Sequence, residues 1–294
     1  MSDSQDAFVE QLKGIVIQRV ADDDVPLPSL PHVLMNALTE LRKDEFDLAH
    51  VTELLEADPL VTARVLRLSN SAVYASRQPI LTIGAAVGRV GGLALRPFLT
   101  EIAAERVFAS KNPEINKACR GLWQHSVATA IVSRDLAAKV FRLGHGDIAE
   151  AAYMAGLLHD IGKPILAAVL LDAEKRLLGA RSATWLTTES WLNLLGSAHR
   201  SVGLLVAAQW QMPLLVRLGI SNITQFERSE PYAVSNFVRL ANALTKRAAI
   251  YVGAFDRNQV DAMILEGQGL LGFTADVLVE VCDGLAGRVA GRLV

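Results

Sequence analysis

The sequence predicts an all-α protein, and three observations predict it. Apolar residues recur at helical spacing along almost the whole chain, while no alternating apolar and polar segment of strand length persists. Hydrophobic residues make up 51% of the 294 positions and aromatics only 6%, so Leu, Ala and Val carry a core suited to close-packed helices. Proline, glycine and aspartate fall at the joints between the periodic stretches, where helices start and stop.

Residues 7 to 20 read as a short amphipathic helix with Phe8, Leu12, Ile15 and Val16 on one stripe. An acidic, proline-bearing break at Asp22 to Pro31 follows. Pro31 begins a helix through Leu41, and a second runs from Leu48 to Ala57 on Val51, Leu54 and Leu55. Asp58 is suited to the N-cap and Pro59 to the first position of a helix continuing to Tyr74. After a loop at 76 to 82, Ile83 to Val90 forms a short helix that stops at Gly91-Gly92. Leu93 to Phe108 resumes helix, with a kink expected at Pro97. A joint at Ser110 to Pro113 precedes a long helix from Ile115 to Val140, then a loop at Leu143 to Gly146.

The stretch Ala149 to Leu166 is apolar on nearly every side, which describes a buried helix. His159 and Asp160 lie in its last turn, Gly162 is placed as a left-handed stop, and Pro164 opens the next helix. An imidazole and a carboxylate in such surroundings cost a few kcal/mol each unless partners satisfy them, so something must meet them. Downstream, Ile165 to Leu178, Trp185 to Leu195 and Ala198 to Trp210 read as separate helices, closed by Met212-Pro213. Residues 219 to 231 are polar and irregular, an exposed or mobile connection. Ala233 to Val252, Gln259 to Leu271 and Ala275 to Leu293 complete the chain as three helices.

A net charge of −2 with interspersed signs argues against a broad electrostatic surface for nucleic acid or anionic lipid. Mean hydropathy is high at +0.28, yet charge breaks every apolar run before the ~20 residues of a membrane helix. The acidic, amphipathic start does not read as a secretory signal. Two distant cysteines, Cys119 and Cys282, fit a reducing compartment without a disulfide framework. The expected location is the cytoplasm.

Five segments in order carry a resemblance: Leu27-Pro28-Ser29-Leu30-Pro31; the stretch from Asp58 to Ala72; Leu122-Trp123-Gln124-His125-Ser126; Gly156-Leu157-Leu158-His159-Asp160-Ile161-Gly162; and His199 to Pro213 with its Trp210-Gln211-Met212-Pro213. Over Pro26 to Pro213 the chain resembles the HDOD family, a bacterial signalling branch of the HD metal-dependent phosphohydrolase superfamily. The resemblance implies a lead-in over 1–25, a helical subdomain over 26–110 and an HD-like helical core over 111–294. It also implies a regulatory role in signal transduction, usually without enzyme activity.

By position in the motifs, His125 matches the first metal ligand of HD enzymes and His159 with Asp160 the ligand pair. Asn242 stands where those enzymes place a late aspartate. The resemblance thus implies at most one divalent ion, Fe, Mn, Co, Zn or Mg, with one anionic ligand missing. No histidine follows His199 and no Gly-Tyr-Pro occurs, so hydrolysis of cyclic dinucleotides by the bimetal route of related enzymes is not expected.

Each residue also has a plainer role. His159, Asp160 and His125 alternatively form a buried hydrogen-bonded network without metal. Lys163 either attracts a phosphate or serves the helix dipole, and His199 supplies one ligand contact at most. Arg64, Arg67 and Asn70 share one side of their helix, as a recognition patch or as a solvated face. His32, His50 and His145 read as surface residues, and Trp185, Trp191 and Trp210 as core anchors. The leading expectation is a module that binds a signalling partner or small ligand, with no nucleic-acid or membrane partner; the rival is a weak metal-dependent phosphohydrolase acting on a nucleotide or another phosphoester.

Overall fold

The computed structural model describes residues 27–74, 78–109, 113–141, 146–169, 188–221 and 225–291, with isolated positions between 14 and 24. Among the described residues every regular element is helical and no strand occurs. The chain forms two compact units, Ser29–Arg106 and a second made of Val107–Val294 with the segment up to Pro28.

The first unit holds α1 (His32–Glu40), α2 (Leu48–Glu56), α3 (Pro59–Ser69), α4 (Ile83–Val90) and most of α5 (Gly92–Val107). Its helix starts follow from local chemistry. Asp47 accepts from the Ala49 and His50 amides at the head of α2, and Asp58 accepts from Leu60 and Val61 at the head of α3, with Pro59 in the first turn. Thr82 caps α4, and Gly91 at φ 77° parts it from α5. Leu34, Val51, Leu55, Val61, Val65, Leu95 and Leu99 are fully buried and form this unit's core. The helix expected to reach Tyr74 stops at Ser69, and a single 3-10 turn covers Ala72–Tyr74. The Asn70 side chain explains the stop. It donates to the Leu66 and Ile80 carbonyls and accepts from the Ile80 amide, pulling the incoming loop against the helix end.

The second unit is built around α6 (Pro113–Val140) and α7 (Gly146–Leu158). A Cβ at Gly156 would lie 2.9 Å from the Ala130 Cα and from Ser133 Oγ, so this glycine lets the two helices approach closely. Every residue from Ala151 to Lys163 is buried, as the all-round apolar pattern predicts. Around this pair lie α8 (Thr188–Gln209), α9 (Leu214–Ser221), α10 (Val234–Arg247), α11 (Arg257–Leu271), α12 (Ala275–Cys282) and α13 (Leu285–Ala290). Trp210 is a core anchor whose indole N–H donates to the Pro28 carbonyl at 2.8 Å, tying together the first and last segments of the motif series.

Several expectations are corrected. The central helix ends at Leu158, a turn carries His159 to Ile161, and Gly162 begins a further helical stretch over 162–169. Gly162 is not among the residues with positive φ. A Cβ on it would collide with the His199 carbonyl, so glycine is required here for close approach, not as a left-handed stop. The two helices expected between Trp185 and Trp210 are continuous from Thr188, and α9 was not foreseen. The last helix divides at Asp283-Gly284, where Gly284 takes φ 58°. Of the connection expected over 219–231, residues 219–221 belong to α9 and 225–231 are irregular but pinned: the buried Asn236 accepts from the Glu227 amide and donates to the Glu227, Glu230 and Pro231 carbonyls. Most of the 7–20 helix, the 143–145 loop and the stretch around Trp185 lie outside the described residues.

Candidate functional site

The turn between α7 and the 162–169 helix places chemistry in the middle of the second unit. His159 and Asp160 leave α7 there, and α6 presents His125 from the side. His125 and His159 are fully buried and Asp160 is 2% exposed. The three offer ligand atoms that all lie within 4.8 Å of one another.

Backbone carbonyls fix the orientation of both rings. His125 Nδ1 lies 2.8 Å from the Ile250 oxygen and His159 Nδ1 2.7 Å from the Gly156 oxygen. A carbonyl only accepts, so each Nδ1 donates and each neutral ring keeps its lone pair on Nε2. Those Nε2 atoms have no hydrogen-bond partner. They face Asp160 Oδ2 at 3.9 Å from His125 and 3.4 Å from His159. Two lone pairs directed at a carboxylate oxygen form an arrangement that a cation stabilises.

The chain supplies one cation itself. Lys163 Nζ lies 2.6 Å from Asp160 Oδ2, and His199 Nε2 lies 3.3 Å from Oδ1. Burial alone would raise the Asp160 carboxyl, but His159, Lys163 and His199 together hold it well below its ordinary value. Burial, aided by Lys163, lowers both histidines in spite of Asp160. His125 falls to about 3 and His159 to about 4, so both are neutral near pH 7.

The donor set fits one divalent ion. Two imidazole nitrogens and one carboxylate converge, and Asn242 Oδ1 on α10 is buried without a partner. Among the described residues no second group of three His, Cys, Asp or Glu side chains with this spacing occurs. An ion here would share Asp160 with Lys163.

The remaining expected residues separate. Lys163 lies at the beginning of a helix, not near a C-terminus, so the dipole does not account for it. Arg64 pairs with Glu105 on α5, Asn70 is committed to the Ile80 loop, and Arg67 is exposed. Two of the three thus have partners on neighbouring segments of their own unit.

Apart from Lys163, the sequence reading missed the cations around the cluster. Lys246 Nζ stands 4.7 Å and Lys163 Nζ 5.5 Å from the centre of the Tyr251 ring, which packs edge-on against His125 at 4.9 Å. Arg200, next to His199, feels the charge of Asp160, and Arg239 lies over the Phe226 ring at 4.9 Å. Arg239, Asn242 and Lys246 recur at i, i+3 and i+7, a one-face spacing that was legible. Arg200 and Tyr251 come from other elements and gave no such signal.

Comparison with known proteins follows the same line. The HDOD domain matches residues 27–226. A proposed metal-dependent phosphohydrolase from Shewanella amazonensis SB2B superposes with TM-score 0.70 at 21% identity, covering 96% of this chain and 99% of that one. An HDOD domain protein of unknown function from Geobacter sulfurreducens gives 0.63 at 21%, covering 96% and 97%. A proposed signal transduction protein from Marinobacter aquaeolei VT8 gives 0.64 at 20%, covering 98% of this chain and 64% of that one. At these identities the likeness is one of fold. No curated protein matches the chain.

Proposed function

Because the chain belongs to the HDOD family, we propose that it is a signal-transduction module whose buried His-Asp site works by binding a signalling partner or small ligand, without strong catalysis. One observation carries this reading. Both oxygens of Asp160 are engaged by side chains of the protein itself, Lys163 on Oδ2 and His199 on Oδ1. A catalytic carboxylate ligand would need to give that charge to an ion, whereas here the ammonium already neutralises it. Asn242 in place of a second carboxylate weakens the site further as an ion trap. No helix among the described residues is long and apolar enough to cross a membrane, and the reading includes a cytoplasmic setting and no nucleic-acid partner.

A second reading is favoured by the unpartnered Nε2 atoms of His125 and His159. It is a weak metal-dependent phosphohydrolase in which His125, His159 and Asp160, with the Asn242 amide oxygen, hold one ion. When bound, such an ion supplies Lewis acidity toward a phosphate oxygen.

Turnover of aryl phosphomonoesters and diesters, measured with Mn, Mg, Zn, Co or Fe(II) added, separates the two. The protein is expected to show no rate above that of its His159→Ala variant. A rate that falls by roughly 100-fold or more in His159→Ala would install the phosphohydrolase reading instead.

A further inference from the structure

We infer that a groove between α10, α11 and α12 is the docking site for a basic amphipathic helix of a partner protein. These three helices follow the segment that the HDOD domain matches, which ends at residue 226. The inference therefore goes beyond the His-Asp site and does not rest on how that site works.

Each helix turns an apolar stripe toward one space of about 510 Å³. α10 contributes Leu244 and, just past its end, Ala248; α11 contributes Ile264 and Leu265; α12 contributes Ala275, Leu278, Val279 and Cys282. The lining positions recur at i, i+3, i+4 and i+7 along α11, from Asp261 to Gln268, and again along α12, from Ala275 to Cys282. Leu244 and Leu278, each 7% exposed, form the floor, whereas Leu265 and Val279 stand 70% exposed on the rim. Large apolar side chains so exposed beside an apolar floor mark a surface that a partner covers.

Shape and chemistry select the occupant. The lining stretch of α11 runs for two turns, about 10 Å at the helical rise, and walls built of helix faces are complementary to the ridges of another helix. A small molecule fits worse. The rim at Leu265 and Val279 opens the groove to water, and Arg247 and Asp261, the charged residues of the lining, are joined to each other at 2.8 Å, so few polar groups are left to orient a compact ligand. Charge decides the sign of the partner. Between Asp256 and Asp283 the chain carries six acids and a single basic residue, Arg257. Leu265, Ala275 and Val279 are each followed by an exposed acid, Glu266, Asp276 and Glu280. Glu266 and Glu280 pair with Arg228 and Lys139 across the surface, weak contacts that lysines of an incoming helix can replace.

The test titrates the full chain into a fluorescein-labelled peptide, two copies of Leu-Lys-Lys-Leu-Leu-Lys-Leu, and follows its anisotropy. As a helix this peptide repeats the spacing of the groove on one face and carries lysines on the other. It is expected to bind at least about tenfold more tightly than the same peptide with glutamate for every lysine, or with its residues shuffled to break the helical period. Leu265→Gln and Val279→Gln, at positions exposed enough to leave the urea midpoint unchanged, should each weaken binding by about tenfold. Sodium chloride at about 1 M should weaken it severalfold. Equal affinity for the three peptides, or no loss in either Gln variant, overturns the proposal. Dissociation of a dimer of the chain by Leu265→Gln in sedimentation also overturns it, by giving the groove to a second copy. Binding of n-octanol tighter than that of the peptide does the same, by giving the groove to a small apolar molecule. Any of these failures leaves the proposed function standing, because His125, His159 and Asp160 do not line the groove.

Discussion

Gly162→Ala is expected to cost about 3 kcal/mol or more of stability and to disconnect His199 from Asp160. The added Cβ would overlap the His199 carbonyl and lie 2.7 Å from its carbon and 3.0 Å from the Gly203 nitrogen. All three are backbone atoms of α8, so no rotamer change relieves the clash and the helix itself must move. His199 rides on that helix and loses its 3.3 Å contact with Asp160 when it does. Gly88 in α4 serves as the control, because a Cβ there meets nothing within 4 Å. Gly88→Ala should be neutral or stabilise by up to about 1 kcal/mol. Urea midpoints of the two variants check this. A shift below about 1 kcal/mol for Gly162→Ala would mean that the turn is not clamped against α8.

Acid should destabilise the protein well before its carboxylates titrate. His125 and His159 are held neutral in the fold, with pKa values lowered by burial to about 3 and about 4. In the unfolded chain each takes up a proton near pH 6.5. Between those limits the unfolded state binds more protons, so stability is full above about pH 6.5 and falls as the pH drops toward 4. By pH 5 each histidine should have withdrawn about 2 kcal/mol, roughly 4 kcal/mol together. Chemical denaturation at pH 7 and pH 5 measures the difference, and His125→Gln with His159→Gln should remove most of it. Equal stability at the two pH values would show that these imidazoles are not buried as neutral bases.

Most of the fold was legible because it is written in local patterns. The Asp58-Pro59 start, the Gly91 break and the all-round burial of α7 each follow from side chains within a few residues of one another. What was not legible depends on distant neighbours. Gly162 looked like a helix stop because its partner, the His199 carbonyl, is 37 positions away and cannot be read from spacing. Asn70 looked available for recognition because its true partner, Ile80, lies across a loop. Within the site, His125, His159 and Asp160 were expected together and converge, but the role of Lys163 was not foreseen. Its pairing with Asp160 needs the turn that replaces the last helical turn of α7. The Arg200 and Tyr251 contributions arise only when α8 and the loop after α10 are packed against that turn. Ala249 takes a left-handed φ of 59° at the start of this loop, which brings the Ile250 carbonyl to His125.

Lys163, 2.6 Å from Asp160 Oδ2, holds the charge position an ion would take on that carboxylate. The direct measurement is the divalent metal retained per chain after equilibrium dialysis at fixed free Mn or Zn, for the wild type and for Lys163→Met. Substantially less than one ion on the wild type, with affinity rising by roughly tenfold in Lys163→Met, is the predicted result. One or two ions held firmly by the wild type and unchanged in Lys163→Met would contradict it.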